Sequence, residues 1–164
     1  MGQNREVIRP RGSAPKPQRK RSDKPRIGWR EWVQLPELGG AIIKAKVDTG
    51  ARTSALHAWN ITTITRDGKR FVQFDLHPLQ RNGQHVLSCE AQLLDKRPIR
   101  NSGGQTQIRH IVRTLVQLGP YVWPIELSLT QRDEMGFRML LGRSAVRGKF
   151  LVDPGRSFVL GQQA

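Results

Sequence analysis

Cysteine, tyrosine and acidic side chains are scarce in this 164-residue chain, which holds one Cys, one Tyr, and 13 Asp/Glu against 28 Lys/Arg. A single thiol, Cys89, excludes an intramolecular disulfide and fits a reducing compartment. In the run Val86-Leu87-Ser88-Cys89 it reads as a small packed hydrophobe. No stretch approaches the roughly 18–20 apolar residues of a membrane helix. No apolar segment follows the basic N-terminal residues, so a secretory signal is not expected and the cytoplasm is the expected location. Helical periodicity is nearly absent. Also missing are a His-Glu-x-x-His pair and a Gly-x-x-x-x-Gly-Lys-Ser/Thr loop. His57, His77, His85 and His110 fall on separate stretches without metal-ligand spacing. Neither a metal site nor a cofactor is expected.

What the chain has in excess is positive charge, a formal +15. Residues 1–26 carry nine Lys/Arg against Glu6 and Asp23 and hold almost no large apolar side chain. Such a segment cannot bury enough surface to offset its ordering entropy, and it reads as a disordered basic arm. Residues 27–164 read as one domain. Its 19 Lys/Arg against 11 Asp/Glu leave it basic as well. This balance favours acidic partners such as RNA, a ribosome or an acidic protein, without specifying which.

From Ile27 onward the pattern is of strands. Trp29, Trp32, Val33 and Leu35 open one; Pro36-Glu37-Leu38-Gly39-Gly40 turns it, and Ala41 to Val47 returns. Ala55 to Ile64 reads as a strand, Asp67-Gly68 as a hairpin turn, and Phe71 to Leu76 alternates at period two. Asn82-Gly83 marks another turn before a strand over His85 to Leu94. Arg97 to Arg109, centred on Gly103-Gly104, looks like a flexible hairpin tip, with Arg97, Arg100, Arg109 and Arg113 around it. Strands follow over Ile108 to Leu118 and Tyr121 to Leu129. Met139-Leu140-Leu141-Gly142 then leads into one short helical turn. Asp153-Pro154-Gly155 is expected to turn a last hairpin between Phe150-Leu151-Val152 and Phe158-Val159-Leu160. The four tryptophans, Trp29, Trp32, Trp59 and Trp123, read first as core or strand-face packing.

One stretch carries chemistry. The apolar strand Ile42 to Val47 runs directly into Asp48-Thr49-Gly50-Ala51-Arg52. A carboxylate at the end of a buried strand is costly unless something holds it. Thr49 can hydrogen-bond, and Gly50 permits a close backbone approach. The plainer reading is a strand that ends in an Asp/Gly turn.

Paired with Leu140-Leu141-Gly142-Arg143, the Asp-Thr-Gly-Ala loop resembles the retropepsin-like aspartic peptidases. Gly28-Trp29-Arg30-Glu31-Trp32, Lys44 to Ser54 and Met139 to Arg143 are similar to a bacterial family labelled "ATP-dependent zinc protease" and linked with ATP-grasp glutamate ligases. The resemblance implies an all-β, closed, barrel-like acid-protease lobe with one short helix. It implies Asp48, Thr49 and Gly50 as catalytic residues, with Asp48 meeting its twin across a homodimer axis. Ala51, Arg52, Gly103, Gly104, Leu141, Gly142 and Arg143 would bind a peptide or protein substrate, the glycine hairpin acting as a flap. Viral members place an Asp where this chain has Arg52, so Arg143 needs another partner, and two arginines suit an acidic substrate such as an oligoglutamate tail. The rival reading is a non-catalytic module that docks a ribosome, RNA or an ATP-grasp ligase.

Overall fold

The computed structural model describes residues 23–78, 85–101, 103–131 and 136–161. The arm up to residue 22 and the Asn82-Gly83 turn lie outside the described residues. Ten strands and one helical turn follow in order: β1 (Arg26–Leu35), β2 (Ala41–Asp48), β3 (Ser54–His57), β4 (Trp59–Arg66), β5 (Lys69–Leu76), β6 (Leu87–Arg100), β7 (Thr106–Leu118), β8 (Tyr121–Thr130), β9 (Met139–Gly142), α1 (Arg143–Val146) and β10 (Leu151–Ser157). The all-β expectation holds. Among the described residues no helix is long and apolar enough to cross a membrane.

The strands form one sheet in the order β10-β1-β2-β9-β3-β8-β7-β6-β5-β4. A further pairing of β1 with β7, Gln34 opposite Gln117, closes the six strands β1-β2-β9-β3-β8-β7 into a ring. Side-chain alternation fills that ring. On β2, Ala41, Ile43, Ala45 and Val47 point inward, while Ile42, Lys44, Lys46 and Asp48 are half-buried. Val33, Leu35, Leu56, Val112, Val116, Leu118, Leu127 and Leu141 are fully enclosed. Each such side chain contributes about 1.5–3 kcal/mol through burial. Trp123 is buried with its indole N–H donating to Ala145 O at 3.1 Å, which ties α1 to β8. Cys89 is buried too, and burial together with the Asp75 charge pushes its thiol up to about 11.

Three expectations need correction. Ala55 to Ile64 is two strands, broken at Ala58, because β3 must sit between β8 and β9 while β4 pairs with β5. The strand expected over His85 to Leu94 runs on to Arg100, through Pro98, and reduces the flexible stretch to a turn at Asn101–Gln105. Asp153-Pro154-Gly155 does not turn a hairpin. β10 runs straight through it, parallel to β1, and a bulge absorbs the residues: Gly28 faces Asp153 while Arg30 faces Ser157. Proline is tolerated at such an irregular site because no ladder N–H is needed there.

Phe158 to Leu160, expected as a strand, instead packs across β1. Glu31 is fully enclosed and holds this segment. Its carboxylate accepts N–H groups of Gly28 (3.3 Å), Val159 (2.7 Å), Leu160 (2.9 Å) and Gly161 (3.3 Å). Trp32 stacks on Phe158 at 5.9 Å, and Arg30 lies over Phe158 and Trp29 at 5.0 and 4.7 Å.

Candidate active site

β9 threads between β2 and β3, parallel to the first and antiparallel to the second. This brings the two sequence signals together: Asp48 lies beside Gly142 in the ladder. The Asp48 Oδ1 accepts N–H groups from Gly50 at 3.0 Å and Ala51 at 3.3 Å. The same Ala51 N–H also reaches Asp48 O at 3.2 Å. The carboxylate is thus held by the loop it begins, half-buried, while Thr49 and Gly50 are exposed.

The loop is pinned from below by the start of α1. Arg143 N donates to Ala51 O at 2.7 Å and Ser144 N to Arg52 O at 3.0 Å, with Ser144 Oγ on the same carbonyl. The Arg143 guanidinium finds the partner that Arg52 denies it in Thr49 O, at 3.1 Å. Gly142 N donates to Ser54 Oγ at 2.9 Å, and Ser128 Oγ donates to Ser54 O at 3.1 Å. Gly142 is required by space: a Cβ there would lie 2.7 Å from Thr53 C and 2.8 Å from Thr53 O. Leu141 is fully buried, so its side chain belongs to the core and it serves the site through the β9 backbone.

Sequence reasoning missed Ser54, Ser128 and Ser144. Ser54 gave a faint signal, a hydroxyl heading a short apolar strand just after the loop. Ser128 and Ser144 gave none, since each matters only through a partner 74 or 92 residues away.

Gly103 and Gly104 lie at the tip of a separate element. The ladder of β6 with β7 runs from Arg100 opposite Thr106 to Lys96 opposite His110, and β8 joins β7 only from Ile111 opposite Ser128. The outer five residue pairs therefore form a two-stranded arm that projects past the end of β8. Its turn is closed by Asn101 N to Gln105 O (2.9 Å), Gly104 N to Asn101 O (3.0 Å) and Gln105 N to Asn101 Oδ1 (2.9 Å), with Gly104 at φ +81°. At the arm's base His110 Nε2 lies 3.3 Å from Thr63 Oγ1, and burial and then the Lys96 charge lower the His110 pKa.

An arginine cluster lies beside the arm. Arg97 Nη1 and Nη2 reach the two Glu126 oxygens at 2.7 and 3.4 Å, and its Nε reaches Asp95 Oδ2 at 3.0 Å. The Arg97 hydrogen bond holds the Glu126 carboxyl below its usual range, with further lowering by the charges of Arg97, Arg113 and Arg52. Away from this site, His57 and His77 both pack on Trp59, at 3.8 and 4.0 Å between centroids. Among the described residues no three His, Cys, Asp or Glu side chains are grouped to hold a metal.

The family model of the retropepsin-like aspartic endopeptidase RimB matches residues 26–163. The chain belongs to the RimB-like family. A protein of unknown function from Legionella pneumophila has the same fold as this RimB-like domain, with a TM-score of 0.69 and 28% identity over 83% of this chain and 98% of that one. Sequence relatives are named "Probable alpha-L-glutamate ligase". The one from Shewanella halifaxensis is 50% identical over 137 residues, 84% of this chain and 30% of its own length. That from Desulfotalea psychrophila is 48% identical over 136 residues, 83% and 29% respectively. The chain thus spans under a third of the curated relatives it matches.

Proposed function

We propose that the RimB-like domain is an aspartic endopeptidase that hydrolyses peptide bonds as a homodimer, Asp48 of one chain facing Asp48 of the other. Two carboxylates brought close cannot both ionise, so the pair shares one proton and titrates as a unit. The ionised member takes a proton from water as the oxygen attacks the scissile carbonyl. The protonated member gives its proton to the carbonyl oxygen, and collapse of the diol passes a proton to the leaving nitrogen. The observation that carries this reading is the amide-held Asp48 at the end of a buried strand, backed by Gly142 of the threaded β9. Thr49 would brace the two loops, Gly50, Ala51 and Arg52 would line the substrate backbone, and the arm ending in Gly103-Gly104 would close over it.

A carboxylate-rich peptide is the substrate class this reading favours. Arg52 and Arg143 flank the loop, and the relatives' name refers to a glutamate-adding enzyme. That name also favours a second reading, in which the domain is a non-catalytic module that works beside an ATP-grasp ligase, a ribosome or RNA. The test is cleavage of a proteome-derived peptide library, read by mass spectrometry from about pH 4 to 8 to bracket dyad titration, with wild type and Asp48→Asn side by side and folding of both checked. Fragments made only by wild type are expected. Absence of any Asp48-dependent fragment at every pH would turn the reading to the docking module. Binding would then survive Asp48→Asn and weaken with salt.

A further inference from the structure

Three guanidiniums converge on the outer face of β6, β7 and β8. Arg97 grips Glu126 with a two-pronged contact and Asp95 with its Nε. Arg113 stands directly opposite Glu126 across the β7–β8 ladder. Arg52, at the far end of the catalytic loop, is close enough for its charge to act on the same carboxylate. Among the described residues neither Arg52 nor Arg113 has an ion pair of its own within contact distance. Three positive groups therefore face two negative ones, leaving one charge uncompensated. The cluster is open to solvent: the Arg97 and Glu126 side chains are 39% and 48% exposed. Arg113 also forms one wall of a cleft of about 650 Å³ that runs on to Phe71 and Gln92.

Resting on the peptidase reading for the nature of the ligand, we propose that Arg52, Arg97 and Arg113 form a carboxylate-reading subsite beside the catalytic loop, in which Glu126 is a resident competitor for an acidic side chain of the substrate. Planar guanidiniums recognise carboxylates through paired, charge-assisted hydrogen bonds and give up most of that to an uncharged amide. Glu126 holds the arginines in place when the cleft is empty. An incoming carboxylate supplies the missing negative charge, either joining Glu126 between Arg52 and Arg113 or displacing it from them. Because Arg52 sits at the end of the loop rather than at Asp48, the subsite reads a side chain away from the bond being cut. It thereby selects for a second acidic residue along the same chain.

Fluorescein-labelled hexaglutamate titrated into the full chain carrying Asp48→Asn, which leaves the peptide uncut, tests this by anisotropy at low salt. Adding Arg113→Gln should weaken binding about three- to tenfold, the loss of one charge-assisted contact at a partly exposed site. Adding Glu126→Gln should tighten it about threefold by removing a competing charge. Lys149→Gln, on the turn after α1, removes the same charge as Arg113→Gln and should leave binding unchanged. Equal weakening by Lys149→Gln and Arg113→Gln would reduce the effect to net charge and overturn the subsite. So would weaker binding in Glu126→Gln, which would make Glu126 only an anchor for Arg97, and so would a failure of hexaglutamate to bind at all. The peptidase reading fails separately: if wild type cuts nothing while the binding pattern holds, the subsite stands and the catalysis does not.

Discussion

Glu31 and Gly142 are both buried, and each is fixed by what surrounds it rather than by its own preferences. The four N–H groups on Glu31 join residues 28 and 159–161, two ends of the chain that nothing else in the sequence would bring together. Glu31→Gln places a donor amide against donors and removes the charge that strengthens each bond. It should cost about 2–4 kcal/mol, by analogy with breaking a buried, charge-assisted network, seen as a lower urea midpoint at unchanged slope. Gly142→Ala forces Thr53 aside and should cost about 1–3 kcal/mol, the usual range for overpacking. Because Thr53 leads into Ser54, it should also abolish any Asp48-dependent cleavage. At this scale legibility followed sequence distance. Asp48, Gly50 and Gly142 could be picked out because an apolar strand running into a small or acidic residue is a local pattern. Ser54, Ser128 and Glu126 could not, since their partners lie 88, 74 and 29 residues away.

Among the elements, the errors in reading share one cause. Asp-Pro-Gly in β10 and Ala58 between β3 and β4 carry local signals that neighbouring strands override: β1 accepts the former as a bulge, and competing partners split the latter. The Asp67-Gly68 hairpin was read correctly because a turn with both residues at positive φ, +52° and +75°, is decided within four residues. The β6–β7 arm was expected to be loose but is a regular ladder, and it carries its own pH dependence. Burial lowers the His110 pKa, so the unfolded chain binds the proton more readily. The stabilisation from neutral His110 is complete above the unfolded value of about 6.5 and is lost as pH falls through the lower folded value. Urea midpoints should therefore drop more between pH 7.5 and 5.5 for wild type than for His110→Gln. Equal drops would show that His110 does not couple the arm to pH.

For the molecule as a whole, the six-strand ring holds one Asp-Thr-Gly loop, so a two-carboxylate site requires a second chain. Activity per chain should fall on dilution. Adding an excess of Asp48→Asn protein to wild type should suppress cleavage further, as mixed dimers with a single carboxylate form. Unchanged activity in the mixture would mean that each chain works alone. The all-β class was readable from period-two alternation and turn residues spread along the chain. Closure of the ring was not, because it depends on a lone pairing of Gln34 with Gln117, which no local pattern announces.

The threading of β9 between β2 and β3 also has a consequence in time. A chain made from its N-terminus has the whole Asp48 loop in hand while the strand that supports it is still some 90 residues from being synthesised. Until Met139 to Gly142 arrive, β2 and β3 each face an empty slot, and their unpaired edges are open to wrong partners. Closing so long a loop is slow, and folds dominated by such pairings form late. The loop that would cut peptide bonds therefore stays unassembled on a nascent chain. A growing polypeptide carries the sequence of a protease well before it can act as one.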